Sequence, residues 1–235
     1  MNYKSFLLFF VVLLMSFTPL PNNENSKKID LKTAKTTVSK NVSIYNQLDA
    51  NSFVLPSFDC FNLAMNGFDT LKEKGLIKKD IITLVDFSLS SNVKRLWVID
   101  LANNIVLFQT LVAHGRNTGE EFATIFSNQA ESFKSSIGFY ATGEIYTGKH
   151  GSSLKLDGLE KGLNDKARER AVVIHGADYV SESFIKQNKR LGRSLGCPAI
   201  PVEMNAKIIN VIKDKSCLFI YHPSAIQEIF SKLAS

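Results

Sequence analysis

Six glycines, Gly138, Gly143, Gly148, Gly151, Gly158 and Gly162, cut one stretch of the chain into short apolar and aromatic runs. Runs that short suit strands joined by turns better than helices, so the spacing predicts an irregular β-rich body. Upstream, Ile81 to Phe87 and Leu96 to Leu101 are short, β-branched and alternating, and Asn103-Asn104 separates the second from Ile105 to Val112, a hairpin signature. Ala171 to Ile174 reads as a buried strand and Cys217 to Tyr221 as a last one. Helical spacing occurs before this body, where Phe58, Phe61, Leu63, Ala64, Phe68, Leu71 and Leu76 recur between an N-cap at Ser57 and a stop at Gly75, and after it, from Ser224 to Leu233. The pattern as a whole is mainly β, α+β in class.

At 45% hydrophobic and 21% charged residues, the chain is neither disordered throughout nor a polytopic membrane protein. The net charge of +6 is scattered rather than gathered on one face, so it reads as a solvated surface and no nucleic-acid partner is expected. Lys4 precedes the apolar run Ser5 to Phe17, which is broken at Thr18-Pro19-Leu20-Pro21, the order of a signal peptide. The run is short of the ~20 residues a spanning helix needs. The expected organisation is a signal peptide over 1–21, a flexible linker over 22–42, a helical segment over 43–80 and a catalytic domain over 81–235. The mature protein is then expected in the periplasm or cell envelope, without a stable membrane span.

Three cysteines, Cys60, Cys197 and Cys217, leave at least one thiol unpaired. Cys60 and Cys217 lie in apolar surroundings that suit buried free thiols, and a bridge between them stays open. Cys197 ends the turn-rich Gly192-Arg193-Ser194-Leu195-Gly196, and the strand at Ala171 delivers His175-Gly176. A cysteine attacks only as thiolate, and its ordinary pKa near ~8.5 leaves little of that form at neutral pH, so it needs a base. His175 can take the proton and later return it to a leaving amine. Gly196 lets substrate approach the backbone, and amides of its loop can hold an oxyanion. Ser194 either orients the base or stabilises the turn. Taken singly, Cys197 is as well explained as a small buried residue and His175 as a satisfied core histidine; it is their shared context that makes them a catalytic pair.

That context resembles the L,D-transpeptidase catalytic domain, whose signature is His-Gly followed after a gap by Ser-x-Gly-Cys, here HGADYV from His175 and GRSLGCPAIP from Gly192. HGRNTG, ATIFSN, SSIGFY, GKHGSSLKLDGLE and AVVIHGADYV extend the likeness to the murein L,D-transpeptidase subgroup, from about Leu96 to Pro201. The resemblance implies a curved β-sandwich or barrel and acyl transfer through a thioester on Cys197, formed from a peptidoglycan tetrapeptide stem with loss of D-alanine and passed to an amine. Water in place of the amine would make the enzyme an L,D-carboxypeptidase; a non-catalytic wall-binding module is the remaining alternative. A papain-like peptidase is disfavoured because its cysteine precedes its histidine. Better-studied members carry an arginine shortly after the nucleophile, where this chain has Pro198-Ala199. Arg193 either replaces it as a donor to a stem carboxylate or pins the loop. Gly176, His114, His150 and Tyr140 join Arg193 as candidate substrate-binding residues, with Tyr146 as a groove wall. No cofactor is expected: His-x-x-x-His and Cys-x-x-Cys spacings are absent, which argues against zinc. Asp157 and Glu160 read as solvated carboxylates rather than a glycosidase pair. The stem peptides are the expected partners, and a monomer the expected state.

Overall fold

A computed structural model describes residues 31–149 and 151–225. The signal segment, the start of the linker, His150 and nearly all of the helix read at Ser224 to Leu233 lie outside the described residues.

The chain enters through helix α1 (Leu31–Gln47), which overlaps the expected linker up to residue 42 and corrects it. The apolar pattern is weak there because the helix docks partly through an amide. Asn41 is fully buried and its Nδ2 donates to Oδ1 of Asn62 and of Asn66, both at 2.8 Å. Tyr45, one turn on, packs edge to face on Phe58 at 5.4 Å and donates its hydroxyl to the Pro56 carbonyl. Helix α2 (Phe58–Glu73) carries Phe58, Asn62 and Asn66, and it is capped as read, Ser57 Oγ accepting from Cys60 N. Its buried face is Cys60, Phe61, Ala64, Met65, Phe68 and Leu71, at helical spacing. Each large side chain so buried contributes about 1.5–3 kcal/mol. Gly67 is where this helix meets the sheet: a Cβ there would lie 2.0 Å from the Phe139 ring.

The strands are β1 (Ile81–Asp86), β2 (Leu96–Asp100), β3 (Ile105–Thr110), β4 (Gly138–Gly148), β5 (Gly151–Gly158) and β6 (Val173–Gly176). Helix α3 (Glu182–Asn188), β7 (Ala199–Ile200), helix α4 (Val202–Ile212) and β8 (Cys217–Tyr221) complete the described chain, before a short turn at Pro223–Ala225. Among the described residues, one eight-stranded sheet runs in the order β3-β2-β1-β8-β4-β5-β6-β7. The β2–β3 hairpin forms as read, with Asn104 left-handed at φ 52°. Strand β8 is buried along its whole length between β1, to which it runs parallel, and β4, to which it runs antiparallel. Phe219 of β8 stacks on Phe139 of β4 at 4.2 Å, so Phe139 belongs to the core. The two ends of the sheet then meet: Ala113, just past β3, donates its N–H to Ala199 O of β7 at 2.8 Å, and Gly115 bridges Ser194. The result is a nearly closed barrel, the mainly-β fold expected. Cys60 and Cys217 are buried free thiols, not a bridge.

Candidate active site

Cys197, the candidate nucleophile, lies where the sheet closes. Strand β6 pairs with β5 through Ser153–His175, Leu154–Ile174 and Lys155–Val173, and with β7 through His175–Ala199. Two residues before Ala199, Cys197 therefore lies level with Val173, and its Sγ accepts from Val173 N at 3.5 Å. Val173 and His175 point to the same face because strand side chains alternate. His175 thus falls inside β6, not beyond its end, one pleat period along from the level of Cys197.

His175 is buried at 3% exposure, and its Nδ1 is 3.0 Å from the Gly176 carbonyl oxygen. A carbonyl only accepts, so this contact requires the proton on Nδ1 and leaves Nε2 as the basic nitrogen. Gly176 therefore acts on the imidazole through its backbone; a Cβ there would approach Asn205 Cβ of α4 at 3.1 Å. The Cys197 thiol is half-buried and reaches the Ala171 carbonyl at 3.8 Å. Burial raises its pKa, while the Val173 N–H and then the Arg170 guanidinium oppose that rise without cancelling it. A thiol held protonated at rest is the case in which a base is required.

Arg170 is absent from the sequence reading. Its Nη1 donates to Ser127 O at 2.8 Å and its Nη2 to Lys134 O at 2.7 Å, the carbonyl that would stand 2.9 Å from a Cβ on Gly196. It thus places a cation beside the turn that carries Cys197. In sequence it is one of many scattered basic residues, and only its position one residue before the AVVI strand hinted at it. Ala171, next to it, is left-handed at φ 54°, which costs a non-glycine residue about 1–3 kcal/mol and aims its carbonyl at the thiol. Tyr179 was also missed: half-buried against Gly192, its phenol is pushed up to about 12 by burial and then by negative charge at Cys197.

The remaining candidates divide. Ser194 Oγ donates to Cys197 O at 2.6 Å and accepts from Gly196 N at 3.0 Å, so it braces the turn, and the Gly196 amide is engaged there. Gly196 itself is left-handed at φ 126°, and its carbonyl accepts from Ser135 Oγ at 3.1 Å. Arg193 donates to the carbonyls of Arg116 and Gly119 and, at 2.6 Å, to Glu120, so it pins the loop. Two expectations are corrected. His114 is 1% exposed, its Nδ1 accepting from Arg95 Nη2 at 2.8 Å, and it lines no groove. Tyr140 is fully buried and donates to Ser136 O and Oγ; its phenol lies well above its ordinary pKa because of burial. Both lost the groove to the interior because a polar partner was waiting there. Tyr146 does wall a cavity of about 320 Å³ with Lys155, Arg168, Ala171, Val172 and Val173, two of which touch Cys197. A roomier cavity of about 700 Å³, around residues 52–57 and Trp97, is lined by neither cysteine nor histidine. Among the described residues no group of three His, Cys, Asp or Glu side chains is placed to hold a metal ion, and no helix is long and apolar enough to cross a membrane.

Residues 55–221 match the family model of the L,D-transpeptidase catalytic domain. The chain belongs to that family. No curated protein matches this L,D-transpeptidase-family chain. Among solved structures it is similar to an L,D-transpeptidase from Mycobacterium smegmatis (10% identity, TM-score 0.38, 61% of this chain and 59% of that one). It is also similar to a mutant of the helical cell shape determining protein Pgp2 from Campylobacter jejuni (17%, TM-score 0.42, 68% and 56%). A third is an L,D-transpeptidase from Xylanimonas cellulosilytica (10%, TM-score 0.32, 79% and 93%). The match spans less than two thirds of the first two chains.

Proposed function

We propose that this L,D-transpeptidase-family chain is an exported acyltransferase acting on peptidoglycan stem peptides, with Cys197 as nucleophile and His175 as base. The observation that supports the reading is a half-buried thiol level with Val173, next to a strand that carries, one pleat period along, an imidazole whose Nδ1–H is anchored by the Gly176 carbonyl. His175 Nε2 takes the thiol proton as sulfur attacks the carbonyl of the diamino-acid residue of a tetrapeptide stem. The proton then passes to the departing amine of D-alanine, leaving a thioester on Cys197. An amine from a second stem attacks the thioester, gives its proton to His175 and frees the thiol. The Val173 N–H and the Arg170 guanidinium favour the thiolate in both half-reactions. Water as acceptor gives the carboxypeptidase outcome through the same pair.

Export is read from Lys4 and the apolar run that follows it. Incubating the full chain with defined disaccharide tetrapeptides and weighing the products tests the function. A cross-linked dimer with loss of one alanine per link supports transpeptidation, and a stem shortened by one alanine supports hydrolysis. Unchanged substrate, with no mass added to Cys197, refutes both.

A further inference from the structure

The cavity beside Cys197 has a charge arrangement that the acyl-transfer chemistry alone does not call for. Its walls are the Tyr146 ring, the short apolar stretch Ala171, Val172 and Val173, and two cations, Lys155 and Arg168. Lys155 is the register partner of Val173, which is level with Cys197, so lysine and nucleophile stand two strand spacings apart, about 10 Å between backbones. The carboxylates that accompany these cations, Glu144 and Asp157, do not line the cavity. Glu144 is turned toward them by the register shift between Thr142 and Ile145 in β4, and it accepts from Lys155 Nζ at 2.8 Å and from Arg168 Nη1 at 3.1 Å. Asp157 accepts from Arg168 Nε and, at 3.1 Å, from Nη2. The wall of the cavity thus carries the cations without their carboxylates.

These pairs do not exhaust the donors. An ammonium has three N–H bonds and a guanidinium five. Among the described residues Lys155 commits one to Glu144, and Arg168 commits Nε, both hydrogens of Nη2 and one of Nη1. Two N–H bonds on Lys155 and one on Arg168 stay available to a ligand in the cavity. The Lys155 ammonium also lies 5.5 Å from the centroid of the Tyr146 ring, itself a wall of the cavity. Such half-exposed ion pairs are individually weak, so sharing them with a ligand anion costs little. A space of about 320 Å³ is at the small end of ligand sites and suits one or two amino-acid residues.

We propose that this cavity is a subsite for a carboxylate carried by the donor peptide on the residue of the scissile carbonyl or on the one after it, held by Lys155 and Arg168 while Tyr146 and residues 171–173 receive the adjoining aliphatic carbons. The proposal rests on the acyltransferase reading for the identity of the peptide. Two carboxylates of a tetrapeptide stem meet the description, the C-terminal one of D-alanine and the side-chain one of a dicarboxylic diamino acid.

The test is equilibrium binding to full-length Cys197→Ala protein of the tetrapeptide L-Ala-γ-D-Glu-meso-diaminopimelate-D-Ala. It is compared with the same peptide amidated at the terminal carboxyl, and with the peptide amidated at the diaminopimelate side-chain carboxyl. The acid should bind about tenfold more tightly than one of the two amides, and the amide that loses affinity names the carboxylate. In Lys155→Gln and in Arg168→Gln the preference should shrink to about twofold or less, and Lys155→Arg should retain it. Lys155→Gln decides alone should Arg168→Gln fail to fold. Equal binding of all three peptides, a preference that survives Lys155→Gln, or no binding at all overturns the proposal. Turnover by the unsubstituted protein is read separately: binding preference without turnover defeats the acyltransferase reading and leaves the subsite standing.

Discussion

Lowering the pH from 7 to 4 should cost the folded state about 3 kcal/mol at His114 alone. The neutral ring has both nitrogens engaged: Nδ1 accepts from Arg95 Nη2 at 2.8 Å, and Nε2 donates to Gly119 O, 3.2 Å away. A second proton would have to go on Nδ1, facing the guanidinium. Burial first and Arg95 second therefore push the His114 pKa down from 6.5 to about 4. An unfolded chain takes up that proton near 6.5 and the folded one only near 4. The stability is thus complete above pH 6.5 and is lost as pH falls through that window toward 4. At 1.36 kcal/mol per unit, the gap gives the ~3 kcal/mol quoted. Urea unfolding of the parent and of His114→Gln, whose amide can accept from Arg95 and donate to Gly119, measures it at half-unit steps from pH 4 to 7.5. The buried carboxyl of Asp86, raised by desolvation, titrates in both proteins and cancels in the difference. The parent should lose up to about 3 kcal/mol more than the variant, with a limiting slope of about 1.4 kcal/mol per pH unit. Parallel stability curves would refute the argument.

Gly196→Ala should lower stability by about 1–3 kcal/mol, because φ 126° is hostile to a side chain and the new methyl meets Lys134 O at 2.9 Å; thermal unfolding reads the loss, and an unchanged midpoint contradicts it. Arg170→Met should move the pH profile of Cys197 alkylation to higher pH, since the cation opposes the burial-driven rise of the thiol; iodoacetamide rates from pH 6 to 10 check it, and a coincident profile removes Arg170 from the site. His175→Ala should slow turnover of a tetrapeptide by about 10²–10⁴-fold while leaving the affinity of Cys197→Ala/His175→Ala protein for that peptide nearly unchanged; calorimetry and product analysis separate the two effects, and full turnover without the imidazole would end its assignment as base.

Local signals carried much of the fold. The Ser57 cap, the α2 stripe, the Asn103-Asn104 hairpin and the Cys217 to Tyr221 strand depend on neighbours within a few residues, and each formed where the pattern put it. The parallel pairing of β1 with β8 leaves no such trace, since it joins Ile82 to Cys217 across most of the domain. Helix α1 was hidden because Asn41, a residue that reads as polar surface, is the one it buries. In the site, Cys197 and His175 stood out because their chemistry is rare and their spacing distinctive. Arg170 did not, because a basic residue becomes special only when folding brings the Gly196 turn to it. His114 and Tyr140 misled for the converse reason: a polar loop around a histidine looks solvated, and an aromatic with a hydroxyl suits a groove wall, until Arg95 and Ser136 are seen beside them in the interior.

The meeting of Ala113 with Ala199 and of Gly115 with Ser194 joins segments that lie roughly eighty residues apart in the chain, at the point where the thiol stands. Contacts of such separation form late, after their loop-closure entropy has been met by the local hairpins. A refolding chain therefore acquires its local hairpins and helices before the turn that carries Cys197 is seated against the end of β3, and the surroundings of that thiol are among the last parts of the molecule to assemble.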